Sequence, residues 1–319
     1  MKKITSVLLA LLLLTTGMAC SAAPQQETAQ DTATTQEAAQ PAQAAKEISI
    51  LTPYLSSVTT NEMAETMKAN MEAKGWSVTV VDTKGDMAML ASRMEDVISA
   101  KVDAIVIVST DPNQVATQIE KAAEANIPVF GCDSGYIEGM VVNATSDNYA
   151  MGQMIAQYLF DKMGNAGTVI ALTHRPHPGV LKRCEAFDDL LAQNPDIKLI
   201  TEQHVEVPGP IENSRKIMEN LLLANPEKGS ITAVWCAWDE PAIGVSQALA
   251  DAGRDEVLVV GVDGNSQAVE MIQSGSTLIA TVAQNFKGMA EIVTSEMERL
   301  FNGEQVEKGD RYAPATIID

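Results

Sequence analysis

Ala104-Ile105-Val106-Ile107-Val108-Ser109-Thr110-Asp111-Pro112 decides the architecture. A run that is apolar at every position suits a strand covered on both faces, as in the interior of a parallel sheet. The Asp-Pro pair just beyond it supplies a cap-type acid and a residue pre-set for a first helical turn, so a helix starts past the carboxyl end of the strand. Val257-Leu258-Val259-Val260-Gly261 repeats the buried run, and Asp239-Glu240-Pro241 repeats the junction. Outward from these, short strand-like runs recur at 48–51, 77–81, 127–130, 141–142, 168–172, 198–201, 231–235 and 278–282. Between them Met87, Leu90, Met94, Val97 and Ile98, and again Val115, Ile119 and Ala122, keep helical spacing. Such alternation is βαβ repetition, and it predicts an α/β fold of two doubly wound parallel-sheet lobes. Ligands of open α/β sheets sit at the carboxyl edge of the strands.

Composition narrows the function. The chain has 319 residues, 46% of them hydrophobic and 20% charged, enough for a large core. Its 22 Lys and Arg against 42 Asp and Glu leave a net charge of -20. A surface that acidic repels phosphate backbones, so no nucleic acid partner is expected. Four cysteines without a CxxC pair offer neither a disulfide scaffold nor a paired metal site; Cys132, Cys184 and Cys236 read as small buried hydrophobes.

The amino terminus reads as an export address. Lys2 and Lys3 precede an apolar run, Val7 to Leu14, far too short to span a bilayer. Thr16-Gly17-Met18-Ala19-Cys20 follows, and the whole resembles a bacterial lipoprotein signal. That resemblance implies a signal peptide over 1–19 and a diacylglycerol on Cys20, whose two chains suffice for stable anchoring. Residues 21 to 45 hold 9 Ala, 6 Gln and 4 Thr with no Lys or Arg. They cannot offset chain entropy by burial, so 20–45 is expected to be a flexible tether of about 25 to 30 Å reach. The expected location is extracytoplasmic, lipid-anchored to the cell membrane.

Enzymatic readings fare poorly. Gly264-Asn265-Ser266-Gln267-Ala268 has the outline of a nucleophile elbow, but His174, His177 and His204 all precede it, the wrong chain order for that hydrolase arrangement. Ser266 reads better as a residue of a helix start. No strand is followed by a GxGxxG or Walker-type loop, so nucleotide cofactors lack their usual cradle. His174-Arg175-Pro176-His177 could offer two imidazoles, yet its prolines deny it helical ligand spacing; neither metal nor cofactor is expected.

Four segments carry a family resemblance: Ala125-Asn126-Ile127-Pro128-Val129 with Cys132-Asp133; Ser146-Asp147-Asn148; Arg183-Cys184-Glu185-Ala186-Phe187; and Val259 to Gly264 with Ala280-Thr281-Val282-Ala283-Gln284. In order and spacing they resemble the type I periplasmic sugar-binding proteins, the ribose-binding group in particular, over about residues 47 to 312. The resemblance implies two lobes joined by three crossings, near Asp147, Gln284 and Gly309, that close on a ligand by hinge motion. The lobes would be 46–147 with 285–308, and 148–284 with 309–319. It also implies ligand contacts: Asp133 and Asp263 as hydroxyl-binding carboxylates, Arg183 as a fork of donors, Gln284 as a hinge amide, and Ser146 and His174 at further positions.

Departures from the family bear on the ligand. The aromatic pair of ribose binders is missing from Pro53-Tyr54-Leu55-Ser56-Ser57-Val58-Thr59-Thr60, which leaves Tyr54 as its one ring. Trp238 stands where the ribose group has asparagine and could stack from the other lobe; Trp235 reads as core. The ligand is therefore expected to be other than ribose: smaller, acyclic or more polar. Arg175, His174 and His177 leave room for an anionic group. The expected function is capture of a monosaccharide or polyol, by a monomer, for an ABC transporter permease. The alternative is a sensor of the same fold coupled to a membrane kinase or chemoreceptor.

Overall fold

A computed structural model describes residues 45–319. The expected signal peptide over 1–19, lipidated Cys20 and all but the last residue of the 20–45 tether lie outside the described residues.

The first lobe begins β1 (Glu47–Thr52), α1 (Val58–Glu72), β2 (Ser77–Asp82), α2 (Met87–Ala100) and β3 (Ala104–Val108). A single 3-10 turn, Pro112–Val115, is capped by Asp111, whose carboxylate accepts from the Asn113 amide at 3.0 Å, and leads into α3 (Ala116–Glu124). Then come β4 (Val129–Cys132) and β5 (Val142–Thr145). The second lobe repeats the scheme with α4 (Asn148–Lys162), β6 (Gly167–Thr173), α5 (Pro178–Gln193), β7 (Ile197–His204), α6 (Pro210–Ala224), β8 (Ala233–Cys236), α7 (Asp239–Asp251), β9 (Leu258–Asp263), α8 (Ser266–Gln273) and β10 (Leu278–Ala283). The chain ends with α9 (Phe286–Phe301), β11 (Gly309–Tyr312) and β12 (Thr316–Ile318).

Two six-stranded sheets result, ordered β11-β5-β4-β3-β1-β2 and β12-β10-β9-β8-β6-β7. All their pairs are parallel except β10 with β12. β3 is buried at every residue, as its unbroken apolar run requires. Helices cover each sheet with apolar stripes: Met63, Met67 and Met71 of α1, four residues apart, all seat in the first core. Trp235 lies in the second core, stacked on Phe187 at 4.5 Å.

The chain leaves the first sheet after β5 and returns through Gln284 and Asn285 into α9, which packs on α1 and β5. The third crossing departs from expectation. Gly309–Tyr312 pairs with β5 in the first sheet, so the passage to the second lobe falls at 313–315 and only β12 joins the second sheet. The segment Gly-Asp-Arg-Tyr has no apolar run to mark it as a strand. It is held as a sheet edge by backbone pairing and by the Asn143 amide donating to Asp310 at 2.8 Å.

Candidate functional site

In each sheet the strand order reverses between the first and third strands of its lobe, β1 and β3 in one, β6 and β8 in the other. At such a switch point the loops part and leave a crevice at the carboxyl edge. Here the two crevices together line one cavity of about 70 Å³. Tyr54, Ser57, Thr59 and Thr60 come from the β1–α1 junction, Ser109 from the end of β3 and Asp133 from the end of β4. The second lobe supplies His174 and His177 from the β6–α5 turn, Val180 and Arg183 from α5, Val207 after β7, Trp238 and Glu240 after β8, and Asp263 from β9.

Backbone conformation helps aim these groups. Ser109, Asp133 and Asp263 end strands at φ of 51°, 49° and 133°. These are left-handed or rarer values that non-glycine residues seldom adopt, and such strain gathers at sites where the surroundings over-determine it. Gly152 fixes the approach of α4 to α5, since a Cβ there would meet the Arg183 carbonyl oxygen at 2.6 Å and its Cα at 2.7 Å.

Arg183 is 2% exposed and held from several sides. Its Nε donates to Asn148 Oδ1 at 2.8 Å, and one terminal nitrogen donates to the Ala237 carbonyl at 2.9 Å and Asp263 Oδ1 at 3.2 Å. Those bonds leave the other terminal nitrogen without a protein partner among the described residues. Asp133 Oδ2 accepts from Ser109 at 3.3 Å, and Ser109 in turn touches the Thr60 hydroxyl at 3.1 Å. The other oxygen, Oδ1, is buried with no partner. An orphaned carboxylate oxygen is costly and calls for a donor. Burial pushes Asp133 up to about 7 against the pull of Arg183, with Asp263 adding to the rise. Burial likewise raises Asp263 and Glu240.

The two histidines carry opposite tautomers. His174 Nδ1 meets the Val205 carbonyl at 3.0 Å, and a carbonyl can only accept, so the hydrogen is on Nδ1 and Nε2 is an acceptor. His177 Nδ1 instead faces the amides of Gly179 and Val180, so Nε2 carries its hydrogen. Burial lowers the pKa of both, and with Arg183 nearby His177 falls to about 3. His174 also stacks on His204 at 4.9 Å and stands edge-on to Trp238 at 6.1 Å. The Trp238 indole N–H donates to Glu240 at 3.2 Å.

Six sequence-predicted residues, Tyr54, Asp133, His174, Arg183, Trp238 and Asp263, thus share the cavity lining. Ser146 and Gln284 lie outside it. Gln284 stands behind Asp263, donating to its Oδ1 at 2.8 Å with Oε1 left unpartnered, and Ser146 Oγ is buried without a partner at the crossing after β5. Arg175 is turned away from the cavity, its guanidinium taken by Glu202 and Asp188 at 2.7 and 3.0 Å. Asp239, expected at the ligand edge, is instead fully buried, accepting from Thr281 Oγ1 and the Asn265 amide, both at 2.7 Å. Ser57, Thr59, Thr60, Ser109 and Glu240 are polar cavity residues that sequence reasoning passed over as contacts, and His177 entered it only as room for an anionic group. Their place just past strand ends was visible, but not the direction of their side chains.

Ser266 is the first residue of α8, behind the capping Asn265. Cys132, Cys184 and Cys236 are buried free thiols that burial pushes well up, Cys184 to about 12. Among the described residues no cluster of three metal-ligating side chains is present.

Twin α/β lobes with a cavity between their strand edges, lined by buried carboxylates and an arginine, define a two-lobed protein that binds a small molecule. Residues 48–305 match the family described as periplasmic binding protein domain, and the chain belongs to that family. It is 31% identical over 237 residues to the ribose import binding protein of Bacillus subtilis (strain 168), covering 74% of this chain and 75% of that one. It is 25% identical over 269 residues to the xylitol-binding protein of Mycolicibacterium smegmatis (strain ATCC 700084 / mc(2)155), covering 84% and 76%. Among solved structures, an ABC transporter solute binding protein from Agrobacterium vitis with bound allitol superposes with a TM-score of 0.82 at 27% identity, covering 86% of this chain and 95% of that one.

Proposed function

We propose that the protein is the solute-binding component of an ABC importer, capturing a small polyol or monosaccharide between its lobes and presenting the closed form to a membrane permease. The observation that carries this reading is the pairing, in one cavity, of an unpartnered buried carboxylate oxygen on Asp133 with the braced donor fork of Arg183. Carboxylates accept from hydroxyls and a guanidinium donates to them, so a polyhydroxy compound satisfies both. Tyr54 and Trp238 supply apolar faces from the two lobes, as far as sugar-ring or carbon-chain packing needs them. Binding alone, without bond making, performs this function, because closure follows from higher affinity for the closed state.

The lipoprotein-like leader supports a lipid anchor on Cys20 and a tether over 20–45 that keeps the body near its permease. Intact-mass measurement of the membrane-extracted protein tests this: a diacylglycerol on Cys20 is expected, and a soluble chain cleaved elsewhere would overturn it.

Thermal melting of the protein against pentoses, hexoses, polyols, sugar acids and nucleosides tests the binding role. A ligand at about 100 times its Kd adds roughly 2.7 kcal/mol, on the order of 5 to 10 °C for a body this size. One sugar or polyol should give that shift, and Arg183→Ala and Asp263→Ala should abolish it. Silence across sugars and polyols would overturn the reading.

A further inference from the structure

His177 caps α5, and the cap dictates what the ring can offer. Its Nδ1 accepts from the amides of Gly179 at 3.2 Å and Val180 at 3.4 Å. A nitrogen that accepts carries no hydrogen, so the neutral ring must hold its hydrogen on Nε2. Protonating Nδ1 would turn it against two amide donors, and burial beside Arg183 opposes the charge as well. The ring is thus a fixed neutral donor.

That donor faces the Asp133 carboxyl across the lobes. Nε2 lies 3.9 Å from Asp133 Oδ2, with the side chains 12% and 10% exposed. The gap is too long for a hydrogen bond. Asp133 keeps Oδ1 buried and unpartnered on the same carboxylate. His177 belongs to the second lobe and Asp133 to the first, so the two approach only when the lobes are together.

We propose that His177 and Asp133 bracket one hydroxyl of the ligand, Nε2–H donating to its oxygen while the carboxylate accepts its hydrogen, which makes His177 a specificity-determining residue. The inference rests on the polyhydroxy reading above and assigns one of its contacts. A group held between a donor and an acceptor must accept and donate at once. A hydroxyl does both; an ammonium only donates, an ether or carboxylate only accepts, and a methylene does neither. Selection of this kind is strong, because a ligand lacking the hydroxyl leaves two buried polar groups unpaired. The bridge also spans the lobes, so it favours closure over simple docking to one lobe.

Two measurements test the bracket, both with D-ribose, xylitol and allitol as probes. Nitrogen NMR of the His177 imidazole should show the Nε2–H tautomer, no titration between pH 5 and 8, and a moved Nε2 resonance once a probe binds. An Nδ1–H ring, or an Nε2 resonance indifferent to a bound probe, would overturn the proposal. His177→Ser keeps a neutral capping oxygen for α5 but removes the ring donor. For whichever probe the unaltered protein binds, the variant should bind on the order of 10- to 100-fold more weakly. It should also lose the preference for that probe over one of its monodeoxy analogues, a readout that a merely structural role would leave alone. A folded variant that keeps both affinity and preference overturns the bracket while leaving the importer reading intact. Failure of the unaltered protein to bind any sugar or polyol would overturn that reading first, and the bracket with it.

Discussion

Asp239 stands just past β8 and Asp263 ends the adjacent β9, each with the same carboxylate, yet only Asp263 lines the cavity. Both oxygens of Asp239 are taken, one by Thr281 Oγ1 and the other by the Asn265 amide, and the absent side chain of Gly261 makes room for it. Asp263 spends Oδ1 on Gln284 and Arg183, and none of these bonds uses Oδ2. Removing Asp239 strands two buried donors at once. Asp239→Ala should therefore cost about 2 to 4 kcal/mol of stability, seen as a lowered urea midpoint at unchanged slope. A midpoint within error of the unaltered protein would show that water replaces the carboxylate without penalty. In the sequence the two look alike, since each stands at a strand's carboxyl edge, where ligands of such sheets sit. Which way a side chain turns at the first residue of a helix depends on a partner 42 residues away, and no local pattern records that.

Elements with a strong period were legible, and those held by pairing alone were not. β3 was visible to the residue, since an unbroken apolar run between polar neighbours has one comfortable home. β11 and β12 are four and three residues of mixed polarity that extend sheet edges through backbone hydrogen bonds, which any sequence can make. Helix α5 lies between these extremes: its Arg183-Cys184-Glu185-Ala186-Phe187 segment was singled out by the family resemblance, but its distance from α4 was not readable. That distance is set by Gly152, and it places Arg183, whose Nε bonds Asn148 at the start of α4. A methyl at Gly152 would collide with backbone, which cannot rotate away as a side chain can. Gly152→Ala should cost roughly 1 to 3 kcal/mol as α5 shifts. It should also weaken ligand binding several-fold although residue 152 lines no part of the cavity. Calorimetric titration checks the second effect, and unaltered affinity would mean that Arg183 moves with its ligand partners as a rigid unit.

The molecule as a whole keeps its acids and histidines in uneasy burial, and this sets how its stability answers to pH. Burial raises Asp133 to about 7 and raises Asp263, Asp239 and Glu240, while it lowers His174 and takes His177 to about 3. A carboxyl raised in the folded state binds protons there before the unfolded chain does, so its stabilising effect is complete below its ordinary value of 3.8 and is lost as pH rises toward 7. A histidine lowered in the folded state acts oppositely, costing stability as pH falls below its ordinary 6.5. Four raised acids outnumber two lowered histidines through mildly acid pH; below about 4 His177 and the lowered carboxylates Asp103 and Glu202, bonded to Lys46 and Arg175, all lose stabilisation and stability falls. The empty protein should accordingly melt higher at pH 5.5 than at pH 8. Net charge of -20 acts in the same direction through self-repulsion, so the difference needs a control. Asp133→Asn removes one titration at a change of a single charge and should shrink the gap while raising the melting temperature at pH 8. A bound hydroxyl that donates to Asp133 favours its ionised form, so ligand should stabilise more at pH 8 than at pH 5.5. Scanning calorimetry of both proteins, empty and loaded, decides it. A gap that Asp133→Asn leaves unchanged would assign the pH response to surface charge and remove Asp133 from the account.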